Sequence, residues 1–418
     1  MKRKKYIFCI VLIVLAFHAT LYAQTDGWTE LINGKDFTGW KASENKGTWT
    51  VVDGMFQAAG KRSHLWYEGE HLNNGFRNFE IEVQVRTFKL ANSGIIFHTQ
   101  YQESGWPNDG FEIQINNSQV GDPGYLELKR TGSLYGIRNL YKTFTKDNEW
   151  ITIRARVESN RVQVWCDSTK TVDYIQSEST DNYVKRLTEG TFCLQGHDVL
   201  SKVQYRSFKV RRLPDDVKTN LAAPKPGAWY NKLVEMQDEY FAFIDLNPKT
   251  ILSATELVNY LYTTGINTSL VRSPETVYEF SSGKNLPLFF GVKITSKNLT
   301  NGEYADADYV IGESTDLASA KALLMSGKIN IWSDKTKILN ARNADELLSL
   351  AYQHSVAIEI DNVNQTPSVD ILQMAKAKGL KFTFSGLIPV SAMERSQYAF
   401  AAVRAANLTY QDFYIPKF

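Results

Sequence analysis

The chain has 418 residues, 43% of them hydrophobic and 22% charged, which is ordinary globular composition and long enough for two or three domains with separate cores. Its 47 basic and 45 acidic residues give a formal charge of +2 with no long basic run beyond the N-terminus, which argues against nucleic acid as a partner. Aromatic residues are frequent at 12%, with 21 Tyr and 9 Trp, and suit either sugar-facing surfaces or the core of a β-sandwich.

Lys2, Arg3, Lys4 and Lys5 open the chain, Ile7 to Phe17 is an apolar run, and a polar-to-small stretch ends in Leu21-Tyr22-Ala23. This order predicts a signal peptide over 1–23, cleaved after Ala23, and a periplasmic or secreted product. The run is shorter than the roughly 20 apolar residues that span a bilayer, so no stable membrane anchor is expected. Cys9 sits inside it, too early for a lipid-attachment cysteine. Loss of the four basic leader residues takes the formal charge from +2 to −2. Cys166 and Cys193 remain, in an oxidising compartment, as two buried thiols or as one disulfide if their Cβ atoms meet.

From Asp26 to Pro214 the sequence is a series of short β-type segments with almost no helical periodicity. "TWTVVDGMFQAAG" (48–60) is strand, Asp-Gly turn, strand, a strong hairpin signal. "NFEIEVQVRTF" (78–88) alternates strictly, with Phe79, Ile81, Val83 and Val85 on one face. "NSGIIFHTQ", "GFEIQIN", "GYLELKR", "EWITIRARVESNRVQVWCD", "EGTFCLQGHD" and "SKVQYRSFKVRRL" continue the series. Many short strands at near-regular spacing predict an antiparallel sandwich or jelly roll over 26–214. "PDDVKTNLAAPKPG" (214–227) is a domain boundary, with a linker over 215–228.

After Trp229 the pattern changes. "YFAFIDL", "INTSLV", "LPLFFGVKI", "DYVIGES", "KINIWSD", "VAIEIDN" and "LKFTFSG" are buried-type strands. Helices are expected over 253–265, 315–326, 343–355, 367–379 and 391–406, the first opening on a Ser cap and closing on Gly. About seven strand–helix units predict a closed or nearly closed α/β barrel-like domain over 229–418. The fold class is therefore multidomain, an all-β sandwich followed by this barrel.

One strand carries chemistry. In "GFEIQIN", Phe111, Ile113 and Ile115 alternate with Glu112, Gln114 and Asn116, and the loop before it holds Trp106, Pro107 and Asp109. The polar face is either a wet surface or the floor of a site, and period-two alternation alone leaves both open.

"GWTELINGKDFTGWK", "WTVVDGMFQAAG", "FRNFEIEVQVRT", "NSGIIFHTQ…GFEIQI" and "EGTFCLQGHDVLSKVQYRSFKVRRL" together resemble the bacterial 3-keto-disaccharide hydrolase domain. The resemblance covers 26–214 and implies a concanavalin-like jelly roll. It implies cleavage of glycosides whose C3 hydroxyl a separate sugar 3-dehydrogenase has already oxidised, by hydrolysis overall or by elimination. A C3 ketone acidifies the C2 proton, so the reaction needs a base, donors for the enolate and an acid for the leaving group. On the resemblance, Glu112 is the base or a proton shuttle, set against an ordinary exposed strand carboxylate. His197 matches a family histidine and is the acid, set against a loop-tying role. Gln114, Asn116, His98, Lys129, Arg130 and Tyr135 are substrate-binding candidates, with Trp106 stacking on a pyranose face. One of Lys129 and Arg130 must point outward if "LELKR" is a strand. Departures are Phe97-His98 where many members have an arginine, and "VWCDSTKTVDY" in place of an "NG" turn. No cofactor is implied, and a divalent metal in the jelly roll is left open.

"DLNPKTILSATELVNYLYTTGIN", "GLKFTFSG" and "AANLTYQDFYIP" are similar to the barrel of the polymerase-and-histidinol-phosphatase family. Metal-bearing members carry His-x-His after the first strand, where this chain has Asp245-Leu246-Asn247, and Ser385-Gly386 stands at a later ligand position. The barrel is accordingly expected to be degenerate and metal-free. Asp245, Glu359 and Asp361 at strand ends make a sugar-hydroxyl pocket or serve as caps. Three functions are consistent with the whole: a 3-keto-glycoside-cleaving enzyme, a non-catalytic carbohydrate-binding protein, and a conventional glycosidase. The last needs two carboxylates roughly 5–9.5 Å apart, for which Glu127 and Asp109 are the available partners of Glu112.

Overall fold

The computed structural model describes residues 27–121, 127–176, 186–216, 244–249, 257, 267–272, 287–300, 304, 307–387 and 397–416. The leader, the linker beyond residue 216, the predicted 253–265 helix apart from Leu257, which is helical, and residues 391–396 of the last predicted helix lie outside them.

The first domain holds β1 (Thr29–Glu30), β2 (Trp40–Ala42), β3 (Trp49–Val52), β4 (Met55–Ala59), β5 (Ser63–Tyr67), β6 (Phe79–Thr87) and β7 (Asn92–Thr99). It continues through β8 (Phe111–Asn116), β9 (Trp150–Glu158), β10 (Arg161–Cys166), β11 (Thr169–Ile175), β12 (Thr191–Gly196) and β13 (Lys202–Arg212). One sheet runs β11-β10-β9-β6-β13-β4-β3, with β1 also paired to β13, and the other runs β2-β5-β12-β7-β8. All of these pairings are antiparallel, giving the expected jelly-roll-like sandwich. The β3–β4 hairpin turns at Asp53 and Gly54, both with positive φ, as a two-residue type I′ turn requires. Phe79, Ile81, Val83 and Val85 of β6 are fully buried against Leu65, Ile95, Phe97, Phe111, Ile113, Phe192 and Leu194 of the second sheet. Each such side chain contributes about 1.5–3 kcal/mol. Cys166 lies in this core and Cys193 on the far side of the second sheet, and both are free thiols.

The second domain is a closed barrel of seven parallel strands, with no break between β14 and β20. They are β14 (Ile244–Asn247), β15 (Asn267–Arg272), β16 (Phe289–Ile294), β17 (Tyr309–Ser314), β18 (Ile331–Asp334), β19 (Ala357–Asp361) and β20 (Phe382–Ser385). The described helices are α1 (Leu317–Met325), α2 (Ala344–Gln353), α3 (Val369–Ala377) and α4 (Gln397–Ala405). Asp316 caps α1 by accepting the Ser319 N–H at 2.7 Å. Alternation sorts the strands. Val310, Trp332, Ile358, Ile360, Phe382 and Phe384 pack outward with helix residues such as Leu323, Leu347 and Leu372. Ile244, Leu246, Phe289, Tyr309, Ile311, Ile331 and Ala357 fill the interior. Among the described residues no helix is long and apolar enough to cross a membrane.

The two domains meet through the segment after β8. Tyr141 joins the barrel's interior cluster at the N-terminal ends of its strands, with Leu128 beside it. Lys142 Nζ lies 2.7 Å from Asp308 Oδ2, the oxygen that also accepts the Phe290 N–H at 2.7 Å. The Asn267 side chain donates to the Asn139 carbonyl. This docking explains why "GYLELKR" does not form the expected strand over its described residues 127–130. Glu127, Lys129 and Arg130 are all buried, so the inside–outside alternation of a sheet edge is absent and neither basic residue points into solvent.

Candidate active site

The second sheet buries one face in the sandwich core, and its other face carries the polar residues. Register sets them in rows. Trp66, Cys193, Ile96 and Glu112 are cross-strand neighbours across β5, β12, β7 and β8. In the next row His64 lies beside Gln195, and Gly94 beside Gln114. The 113–134 bridge puts Tyr135 on the Glu112 face, with the Tyr135 N–H donating to the Glu112 carbonyl at 2.9 Å.

The loop over 100–110 folds across this face. Glu44 Oε1 accepts the Gly105 N–H at 3.0 Å and pairs with Arg62 Nε at 2.7 Å, and the Glu103 carbonyl accepts the Glu44 N–H at 3.0 Å. The Arg62 bond and the Gly105 N–H hold the Glu44 carboxyl below its ordinary range. Trp106, 44% exposed, is thereby set 4.9 Å from the His197 ring and 5.6 Å from the His64 ring, under the Arg62 guanidinium. Beneath the loop Trp66, Ile96 and Cys193 form an apolar floor with Tyr101 against it.

Glu112 Oε1 accepts from Gln195 Nε2 at 3.0 Å. A Cβ on Gly94 would stand 2.1 Å from that oxygen, so only glycine there lets the carboxylate lie across β7. Gln195 Oε1, Trp66 Nε1 and both ring nitrogens of His64 are buried without a hydrogen-bond partner. Burial, with the nearby Arg62 charge, pushes the His64 pKa down to about 4, so this imidazole is neutral near pH 7. Just past β12, His197 Nδ1–H donates to Asp198 Oδ2 at 2.7 Å. Burial would raise the Asp198 carboxyl, but bonds from His197, the Leu200 N–H and Ser201 outweigh it and hold the group ionised. The face thus brings together a carboxylate, an oriented imidazole, a neutral imidazole and an amide.

Of the other predicted residues, Gln114 shares the face but is buried, donating to Asn92 Oδ1 at 3.0 Å. Lys129 lies 4.2 Å over the Tyr135 ring, and Tyr135 OH donates to Glu127 Oε2 at 3.3 Å, extending the polar face past β8. Three further candidates are held by protein groups. Asn116 donates to the Gln119 and Lys129 carbonyls and accepts from the Gln119 N–H and Arg130, so its amide ties a loop rather than meeting sugar. Arg130 reaches Asn116 and the Gln119 carbonyl in the same tie. His98, at positive φ, donates from Nε2 to the Arg77 carbonyl at 2.9 Å and accepts the Thr188 N–H at Nδ1, with its ring edge-on to Phe79. Burial drives its pKa to about 4, and it braces the strand ends instead of the site.

Sequence reasoning missed His64, Gln195 and the Glu44–Arg62 clasp. β5 is buried at every position, so "SHLWY" offers no alternation to expose His64. Gln195 had a signal, since it precedes His197 by two residues and so shares its face. Among the described residues no group of three or more His, Cys, Asp or Glu side chains is arranged to hold a metal.

Residues 27–211 match the 3-keto-alpha-glucoside-1,2-lyase-like domain family. A curated relative, the 3-keto-disaccharide hydrolase of Bacteroides thetaiotaomicron, is 26% identical over 115 residues, which are 26% of this chain. The match spans only 39% of that relative's length. A crystal structure from Parabacteroides distasonis, of a protein provisionally named a glycosyl hydrolase, is 25% identical with a TM-score of 0.38, covering 47% of this chain and 98% of that one. The carbohydrate binding module CBM66 from Bacillus subtilis is 13% identical with a TM-score of 0.30, covering 42% and 96%. These likenesses support a carbohydrate-active function for the sandwich.

Proposed function

We propose that the sandwich cleaves the glycosidic bond of 3-keto-glycosides on the outer face of its five-stranded sheet, in an exported protein. The observation that supports this reading is that Glu112, held by Gln195, and His197, held by Asp198, share one sheet face, with the Trp106 ring against His197. Glu112 takes the C2 proton, and the C2–H electron pair moves into an enolate on the C3 oxygen. Neutral His64 and the Lys129–Tyr135 pair are the proposed donors to that oxygen. The enolate re-forms the ketone by expelling the C1 oxygen, which leaves as an alcohol on taking a proton from His197. The sugar is then a 2-hydroxy enone, and water adding at C1 gives hydrolysis overall. A rigid strand holds the base in place, which proton removal from carbon needs. The substrate requires a prior C3 oxidation by a separate sugar dehydrogenase.

The exposed Trp106 also suits the second reading, sugar binding without cleavage. The mature protein mixed with 3-keto and unoxidised 4-nitrophenyl glucosides, with and without chelator, separates them. Phenol released only from the keto substrate supports the proposal. Equal binding of both with no release supports the second reading.

A further inference from the structure

The barrel interior changes character along its axis. Its lower part is apolar, closed by Leu246, Tyr309 and Ile311. One step further toward the strands' C-terminal ends the inward positions of β16 to β20 become Lys293, Glu313, Ser333, Glu359 and Ser385, as the period of two dictates. Asn247 joins this layer, donating from Nδ2 to Glu359 Oε1 at 2.5 Å. Lys249 reaches Glu359 at 3.3 Å and Asp361 at 3.1 Å, while Lys293 and Lys335 both pair with Glu313.

After these pairings, Asn247 Oδ1, Glu359 Oε2, Ser333 Oγ and Ser385 Oγ have no hydrogen-bond partner, and all four residues are at least nine-tenths buried. Buried polar atoms are almost always satisfied, so this concentration in one layer marks a place where something else completes the bonding. We infer that the C-terminal end of the barrel binds a small neutral polyhydroxylated molecule, a sugar or related polyol, at a site distinct from the sandwich face. Lys249, Lys293 and Lys335 pair with Glu313, Glu359 and Asp361, and burial raises the neighbouring Asp245 carboxyl to about 7, so neither an anion nor a cation gains strong net attraction. An anion would face the unsatisfied Asn247 and Glu359 oxygens, and a divalent cation would face Lys249. Two acceptors and two hydroxyls call instead for a ligand rich in O–H donors. Parallel barrels also place their ligand sites at this end. The inference does not rest on the chemistry proposed for the sandwich.

Ser333→Ala and Ser385→Ala test it, because they delete hydroxyls that no protein group holds. Binding of methyl α-D-glucopyranoside and of myo-inositol would be followed by calorimetry on the full mature chain, in a Trp106→Ala background to silence the sandwich. We expect saturable binding of at least one probe and a roughly 5- to 100-fold weakening in the double serine variant, with melting unchanged. Inorganic phosphate and magnesium chloride serve as charged probes and are expected to give no heat. No saturable binding of either polyol, unchanged affinity in the double variant, saturable binding of phosphate or magnesium instead, or a lowered melting temperature showing that the hydroxyls serve the fold would each overturn it.

Discussion

Glu112→Gln removes the proposed base with the smallest possible change of shape. Its carboxylate accepts from Gln195 Nε2 at 3.0 Å, and glutamine can offer its own carbonyl oxygen to the same donor. Replacing a charged acceptor by a neutral one there should cost about 1 kcal/mol of stability or less, because the residue is only half-buried. The chemical step should suffer far more, since losing a general base costs on the order of 10²–10⁴ in rate, or about 3–5 kcal/mol of transition-state stabilisation. Initial rates of 4-nitrophenol release from the 3-keto glucoside should therefore fall at least a hundredfold in kcat with KM nearly unchanged. Wild-type turnover in a variant of unchanged melting would refute the assignment and leave His197 as the leading base.

Gly94→Ala should push the Glu112 carboxylate aside, because the new Cβ would sit 2.1 Å from Oε1, and lower kcat on the order of 10²-fold while melting stays near wild type. Unchanged kcat would show that the carboxylate need not lie across β7. His64 and His98 are both held neutral by burial with pKa values about 4, against 6.5 when unfolded. Their stabilising contribution is thus complete above pH 6.5 and is lost as pH falls from 6.5 toward 4, by about 3 kcal/mol each, because only the unfolded chain takes up those protons. Melting temperatures from pH 8 to 4 should begin to drop near 6.5, and a curve flat down to pH 4.5 would contradict the burial of both rings. Lys142→Met should lower the urea midpoint by the equivalent of about 1–3 kcal/mol, since it strips the buried partner of Asp308. An unchanged midpoint would mean that the domains do not dock through this pair.

The sandwich was legible wherever one face of a strand is apolar. Phe79 to Val85 and Phe111 to Ile115 fixed their registers through alternation, and Asp53-Gly54 fixed a turn through the positive φ that type I′ demands. The barrel was legible from runs such as "DYVIGES", whose inward and outward residues both have work to do. What stayed hidden depended on contacts distant in sequence. His98 looks like a site residue in "GIIFHTQ", yet its partners are Arg77 and Thr188, and nothing local announces them. Asn116 shares the period of Glu112 but is captured by a loop that returns over residues 119–130. Glu44 and Arg62 lie far along the chain from the loop they fasten, so the clasp that sets Trp106 has no sequence signature.

The segment after β8 links these two kinds of structure. Residues 131–135 run alongside β8 and place Tyr135 next to Glu112, and a few residues later Tyr141 enters the barrel's interior cluster and Lys142 pairs with Asp308. A segment lacking strand alternation would be expected to wander if nothing held its buried Glu127, Lys129 and Arg130. The barrel supplies part of that hold through its strand N-termini, the end opposite the polar layer at Asn247 and Glu359. The barrel's two ends thus do different work. Its floor fixes a wall of the sandwich face through Tyr141 and the Lys142–Asp308 pair, and the opposite end carries the polar layer to which binding is assigned above.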